Sequence, residues 1–149
     1  MTLPATSAFI IRDALRTDGE AINHLCVEAY EEFREIVGED NWQQMKETLA
    51  HASALADKGQ LIVADVASKV AGVVLYCRAG ESNDAGLAAN TAWLRTLAVT
   101  PAHRGKGIGR DLTQECIKRA RTEGAGAIAL TTAEMMTVAR PMYEAHGIY

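Results

Sequence analysis

Residues 93–120 read WLRTLAVTPAHRGKGIGRDLTQECIKRA and carry the signals of a strand, a sharp turn and a helix. The mostly apolar run from Trp93 to Val99 includes aromatic and β-branched residues, which is typical of a buried strand. Pro101 is expected to end that strand, because proline has no amide proton to donate to a sheet. The helix that follows is predicted to bury one apolar stripe, made of Ile108, Leu112, Cys116, Ile117 and Ala120.

The turn between this strand and helix is the glycine-rich segment RGKGIG at 104–109. Glycine permits sharp bends and lets a ligand approach the main chain closely. The first amides of a helix have no intrahelical acceptor and lie at the positive end of its dipole. Phosphate groups bind well at such helix starts, and Arg104, Lys106 and Arg110 add positive charge. We therefore predict a phosphate or diphosphate site here, with a plain glycine connection as the alternative.

Two common nucleotide-binding patterns do not fit this turn. A Walker loop places Ser or Thr after its lysine, whereas Gly107 follows Lys106. The dinucleotide fingerprint needs the spacing Gly-x-Gly-x-x-Gly, whereas Gly105, Gly107 and Gly109 are spaced two and two. A nucleotide-binding protein is therefore the weakest of the functions that this turn allows.

Length and composition predict one domain over residues 1–149, with ample apolar content for a packed core. The net charge of −4 argues against general nucleic-acid binding, which favours a basic face. The three cysteines lack the spacing of metal ligands, so no metal site is predicted. No apolar run reaches membrane-spanning length, and the first residues lack a signal-peptide pattern, so we expect a cytoplasmic protein without membrane association.

The rest of the chain supplies alternating strand and helix signals. The order predicts an α/β domain with a mixed sheet flanked by helices. The predicted elements are a strand at 8–12, a helix ending near 33, a second helix from 40 or 41 to about 56, a hairpin over 60–78 with its turn at 67–69, a strand at 127–131 and a last helix from 137 or 138 to 146. A loop over 79–92, rich in Gly, Ser, Asn and Asp, separates the hairpin from the strand that begins with Trp93.

Two motifs carry a family resemblance. Arg104-x-x-Gly107-x-Gly109, which follows the strand end Val99-Thr-Pro, resembles the acetyl-coenzyme A loop of the GCN5-related N-acetyltransferase (GNAT) superfamily. The end of the chain, with Ala139, Tyr143, Gly147 and Ile148, resembles the Ala-x-x-x-Tyr-Glu-x-x-Gly-Phe ending of that family.

The resemblance implies a GNAT-like acyl-CoA N-acyltransferase fold with a central, mostly antiparallel mixed sheet. Family members usually continue past the position of Tyr149, so their C-terminal strands are expected to be missing here. In the family, the strand before the phosphate loop bears a bulge and splays from the next strand, and pantetheine enters that gap.

The resemblance also assigns site residues. The backbone of Leu97, Ala98 and Val99 would face the pantetheine, and Tyr143 would protonate the leaving thiolate. The diphosphate would lie on the amides of Arg104, Gly105, Lys106, Gly107, Ile108, Gly109 and Arg110.

The implied activity is direct acetyl transfer from acetyl-CoA to a primary amine of a small molecule or peptide, without a metal. A base must first remove a proton from the ammonium group. Relatives often carry a carboxylate on the strand at 93–99, where this chain has Arg95 and Thr96, so no base is assigned; the acids considered are Glu28, Glu31, Glu32 and Glu134.

Two further expectations concern function and assembly. Met136 stands where the family often has a coenzyme-contacting Asn. This departure keeps open an alternative function, a non-catalytic coenzyme A-binding module of the same fold. Homodimerisation is common in the superfamily and is a further expectation.

Overall fold

The computed structural model describes residues 9–80 and 89–130. Within them, five strands form one sheet whose spatial order follows the chain. The first four strands pair antiparallel and the fifth is parallel to the fourth, which confirms the mixed, mostly antiparallel sheet. The strands are β1 (Ile10–Asp13), β2 (Gln60–Val66), β3 (Lys69–Cys77), β4 (Thr91–Val99) and β5 (Ala127–Leu130).

The helices in the described residues are α1 (Gly19–Tyr30), α2 (Arg34–Val37), α3 (Glu39–Leu49) and α4 (Ile108–Thr122). The first predicted helix ends earlier than expected, and a 3-10 turn and the single turn α2 continue it as far as Gly38. Gly38 has φ +88°, a backbone conformation that favours glycine, so the chain changes direction there. The second predicted helix also ends early, and a 3-10 helix at Ala52–Asp57 replaces its last turns.

The hairpin of β2 and β3 is confirmed. Its turn places Ala67 and Ser68 in the left-handed region, with φ +51° and +71°. Two successive residues of this conformation match the right-handed twist of the flanking strands. The Asp65 carboxylate accepts the Ser68 amide at 2.7 Å and so stabilises the turn.

Side chains of β2 and β3 alternate between two hydrophobic cores, because successive residues of a strand point to opposite faces of the sheet. On one face, α1 and the 3-10 helix at Ala52–Asp57 cover Leu61, Val63, Val73 and Leu75. On the other face, α4 covers the intervening residues, which include Ile62, Val74 and Tyr76.

The apolar stripe predicted for α4 is confirmed, because all five of its side chains are buried. The helix packs closely on the sheet at Gly72 of β3. A Cβ at that position would lie 2.8 Å from Cγ2 of Ile108 and 3.1 Å from Cδ1 of Leu112. The missing side chain of Gly72 thus lets the first turn of α4 lie directly on the strands.

Candidate functional site

Strand β4 contains a bulge immediately before its end. Its register on β3 pairs Leu75 with Arg95 and Val73 with Ala98, so Thr96 and Leu97 together face one residue of β3. Thr96 adopts φ +59°, which is rare for a β-branched residue. Bulges re-aim the side chains that follow them.

The bulge changes the side on which β4 residues lie. Before it, Trp93 packs against the α1 core and Leu94 lies in the α4 core. After it, odd-numbered Leu97 and Val99 belong to the α4 core, whereas Ala98 lies in the α1 core. Leu97 and Val99 therefore share a face with the first turn of α4.

The two halves of β4 differ in their pairing with β5. Among the described residues, β5 pairs with β4 only from Thr91 to Leu94. Near the end of β4, the Thr100 amide donates to the Ala71 carbonyl at 2.9 Å. Antiparallel partners alternate between bonded and non-bonded pairs, so the Val99 amide and carbonyl point away from β3 and toward the β5 side. The end of β4 thus directs main-chain donors and acceptors to a sheet edge that the described part of β5 does not cover.

The bulge is held from the opposite face by α1. The Tyr30 hydroxyl, at the end of this helix, donates to the Leu97 carbonyl oxygen at 2.9 Å. Sequence reasoning missed Tyr30, because the contact joins residues 67 positions apart. Its sequence signal is its place next to Ala29, one of the apolar residues that α1 buries.

The glycine-rich turn positions free amides at the start of α4. Gly105 and Gly107 have φ +79° and +85°. The Asp111 amide makes the first intrahelical bond, to the Gly107 carbonyl at 2.9 Å. The amides of the preceding first turn therefore have no intrahelical acceptor, and no side chain in the described ranges caps this helix end.

The three basic residues of the turn have different surroundings. Arg104 reaches across to α1, where its guanidinium donates to the Ala29 carbonyl at 2.8 Å and pairs with Glu32. Its own amide lies 3.4 Å from the Pro101 carbonyl. Arg110 is exposed, with its Nε 3.5 Å from a carboxylate oxygen of Asp111, and Lys106 is exposed. The Arg104 side chain thus fixes the turn to α1, while Lys106 and Arg110 leave positive charge at its surface.

The described residues offer few other reactive groups here. Glu28, Glu31 and Glu32 are exposed. Burial raises the pKa of the Cys26 and Cys116 thiols to about 12, so both are protonated at neutral pH. Within 9–80 and 89–130, no group of His, Cys, Asp and Glu side chains could hold a metal ion, and no helix is long and apolar enough to cross a bilayer.

The second motif and the remaining acid lie outside the described residues. They are Glu134, Met136, Ala139, Tyr143, Gly147 and Ile148. The assignment of Tyr143 as a general acid therefore stays a prediction from sequence.

The model of the acetyltransferase (GNAT) family matches residues 20–148. The chain belongs to this family. The match includes the bulged strand, the glycine-rich turn and the C-terminal Tyr143 motif. Among curated proteins, no significant match was found.

Solved GNAT structures share this fold at low sequence identity. The PaiA N-acetyltransferase of Thermoplasma acidophilum, in complex with coenzyme A, gives a TM-score of 0.73 at 19% identity, over 93% of this chain and 88% of that one. A GNAT acetyltransferase of Staphylococcus aureus Mu50 gives 0.70 at 20% identity, over 94% and 84%. One from Brucella melitensis, in complex with acetyl-CoA, gives 0.62 at 22% identity, over 93% and 81%.

Proposed function

We propose that this chain transfers an acetyl group from acetyl-CoA directly to a primary amine of a small molecule or peptide. The observation that carries the proposal is the juxtaposition at the end of β4. There, the outward main-chain groups of Val99 are followed within nine residues by the uncapped amides that begin α4. Complexes of GNAT relatives with coenzyme A and acetyl-CoA support the choice of donor.

The coenzyme would use the two parts of this site separately. Its diphosphate would lie on the amides between Arg104 and Arg110, where the helix dipole and Lys106 favour negative charge. Its pantetheine would follow Leu97, Ala98 and Val99. Of these three, Val99 offers its amide and carbonyl to the β5 side, whereas the Leu97 carbonyl already accepts the Tyr30 hydroxyl.

The reaction would break one bond and form another at the thioester carbonyl carbon. The neutral amine nitrogen attacks that carbon, the carbon–sulfur bond breaks, and the sulfur leaves as a thiolate. Tyr143 would donate the proton that converts this thiolate to coenzyme A, and the second proton, which the nitrogen loses as the amide forms, would restore the Tyr143 hydroxyl through solvent. A base or water takes the ammonium proton before attack, and no residue is assigned to that role.

The compartment, the oligomeric state and the partners that we propose are those predicted from the sequence. We expect a cytoplasmic enzyme that acts as a homodimer, without nucleic acid, membrane or metal. The alternative function is a coenzyme A-binding module without transfer, which the Met136 departure favours.

Binding and turnover can be tested in that order. A thermal-shift panel should show stabilisation by acetyl-CoA and coenzyme A, and less by NAD or ATP with magnesium. An amine library with thiol-release detection should then identify acetylated acceptors. Tyr143→Phe should retain coenzyme binding and lose turnover.

Three results would count against the proposal. If acetyl-CoA does not bind the folded chain, the coenzyme site is wrong. Binding without acetylation of any amine would favour the non-catalytic module. Unchanged turnover in Tyr143→Phe would remove Tyr143 as the acid.

A further inference from the structure

Arg95 is an unusual residue for the middle of β4. Its side chain is partly buried, and its guanidinium carbon lies 4.7 Å from the centroid of the Trp93 ring. A guanidinium over an aromatic face is attracted by the ring quadrupole, and the flat ring fixes its position. In the described part of the chain, no carboxylate lies within ion-pair distance of Arg95, although five other arginines there pair with carboxylates on other elements or in neighbouring turns.

The position of Arg95 relates it to the proposed thioester site. Arg95 pairs with Leu75 and Val99 with Gly72, so the bulge leaves the two residues three β3 positions apart, roughly 10 Å along the strand. Trp93, which it covers, packs on the α1 face of the sheet. The first turn of α4, where the diphosphate would bind, lies on the opposite face. A cation on the α1 face is therefore available to a second substrate that approaches from the side away from the coenzyme diphosphate.

A partly buried cation that pairs with no carboxylate of residues 9–80 and 89–130 has a chemical consequence. Partial desolvation strengthens its attraction for an anion, and a guanidinium binds a carboxylate through two parallel hydrogen bonds. The Trp93 ring holds the fork in place, so less side-chain entropy is lost when an anion binds.

We propose that Arg95 binds a carboxylate of the acceptor, so that the acceptors of this enzyme are amines that also carry a carboxylate, such as amino acids. This proposal rests on the proposed acetyl transfer. Arg95 is a specificity residue in it, and Trp93 is the residue that positions Arg95. The distance along β4 favours an acceptor whose amine and carboxylate are several bonds apart. The Arg95 cation favours such an acid over a neutral acceptor of the same length.

The test compares pairs of acceptors in which one carries a carboxylate and the other a neutral carboxamide at the same position. Each acceptor is offered as the free carboxylate and as its carboxamide, with one to five carbons between amine and carboxyl carbon, and thiol release gives kcat/KM. The wild-type protein should prefer the carboxylate by about tenfold or more, as expected for a hydrogen bond between charged groups. Arg95→Gln should abolish that preference, and Arg95→Lys should retain part of it.

Arg121→Gln is the matched control, because Arg121 is exposed at the far end of α4 and its loss changes the net charge equally. It should keep the carboxylate preference. Equal kcat/KM for acids and amides in the wild-type protein would overturn the proposal, and so would an unchanged preference in Arg95→Gln.

A binding experiment separates this proposal from the proposed function. The N-acetylated acids and their amides are titrated into the protein saturated with coenzyme A, and the affinity is measured by calorimetry. Tighter binding of the acids that depends on Arg95 supports the carboxylate site even if no amine is acetylated. Equal affinity for acids and amides overturns it, whatever the outcome for acetyl transfer.

Discussion

The Tyr30 hydroxyl donates a 2.9 Å hydrogen bond to the Leu97 carbonyl oxygen and so ties the end of α1 to the bulge of β4. The bulge decides that Leu97 and Val99 face α4. This single contact therefore links the helix on one face of the sheet to the backbone on which the coenzyme is proposed to lie.

Removing the Tyr30 hydroxyl should loosen the bulge. We expect Tyr30→Phe to lower the stability by about 1 kcal/mol, because the Leu97 carbonyl loses its donor. Turnover should fall by about tenfold, because small displacements of a bound reactant are costly. Urea unfolding and thiol-release kinetics measure the two effects.

Tyr76→Phe is the control for that variant. The Tyr76 hydroxyl donates to Glu123 at 2.7 Å, away from the bulge. This variant should lose comparable stability and keep its turnover. An equal loss of turnover in both variants would show that Tyr30 has no specific role at the site.

Gly107 should be needed for the anion site. At φ +85°, Gly107→Ala should cost about 1 kcal/mol of stability, because L-residues disfavour the left-handed region. A new Cβ would also lie 3.0 Å from Nη2 of the exposed Arg110 side chain, which should move aside. The strained backbone should disturb the turn and weaken acetyl-CoA binding, measured by calorimetry.

Gly124→Ala is the control that separates the effect of backbone strain on stability from an effect on coenzyme binding. Gly124 has φ +79° beyond the other end of α4, and a Cβ there would meet no atom within 4 Å. It should cost similar stability and leave coenzyme affinity unchanged. If both variants weaken binding equally, the effect of Gly107→Ala comes from the fold rather than from the turn.

Gly72 should be intolerant of any side chain. We expect Gly72→Ala to destabilise the protein by roughly 1–3 kcal/mol, because its Cβ would overlap Ile108 and Leu112. Gly19→Ala provides the comparison, because a Cβ at this helical position makes only ordinary contact, 3.5 Å from Ser53. It should be neutral or stabilising, and an equally harmless Gly72→Ala would contradict the close packing of α4.

Loss of the Arg104 side chain should destabilise the protein more than loss of its ion-pair partner Glu32. The Arg104 and Glu32 side chains are 40% and 49% exposed, so Glu32→Gln should cost only about 0.2–1 kcal/mol. Arg104→Gln should cost more, because it also removes the bond to the Ala29 carbonyl. A double-mutant cycle by urea unfolding measures the coupling, and equal costs for the two variants would refute the contribution of Ala29.

The ion pair between Arg12 and Asp18 should make stability depend on pH. Hydrogen bonds from Arg12 lower the pKa of Asp18, partial burial opposes this, and the Leu15 amide adds to the lowering. The unfolded chain then binds a proton more readily than the folded one. The stabilisation is complete above the unfolded pKa of about 3.9 and is lost as the pH falls through the lower folded value.

Asp18→Asn tests this dependence. It should destabilise the protein at pH 7 by about 1.5–3 kcal/mol, and its deficit relative to wild type should shrink below about pH 4. Asp57→Asn, at an exposed position, should show neither effect. Urea unfolding between pH 2.5 and 7 measures both, and a deficit that does not change with pH would contradict the mechanism.

The sequence alone determined the elements with strong local signals. Hydrophobic periodicity predicted the α4 stripe, Pro101 predicted the end of β4, and the hairpin turn lay where the apolar runs stopped. These features depend on neighbouring residues and on main-chain hydrogen bonding, both of which can be read along the chain. The glycine-rich turn likewise predicted a sharp bend before α4, and the anion site on its amides stays a prediction.

The tertiary structure decided how these elements form a site. The positive φ of Thr96 runs against its β propensity, and the direction of Arg104 toward Ala29 could not follow from a motif that places it beside a phosphate. The contacts of Tyr30 with Leu97 and of Gly72 with Ile108 join distant parts of the chain. Such features depend on which helix covers which face of the sheet, and that choice is made by packing rather than by the local sequence.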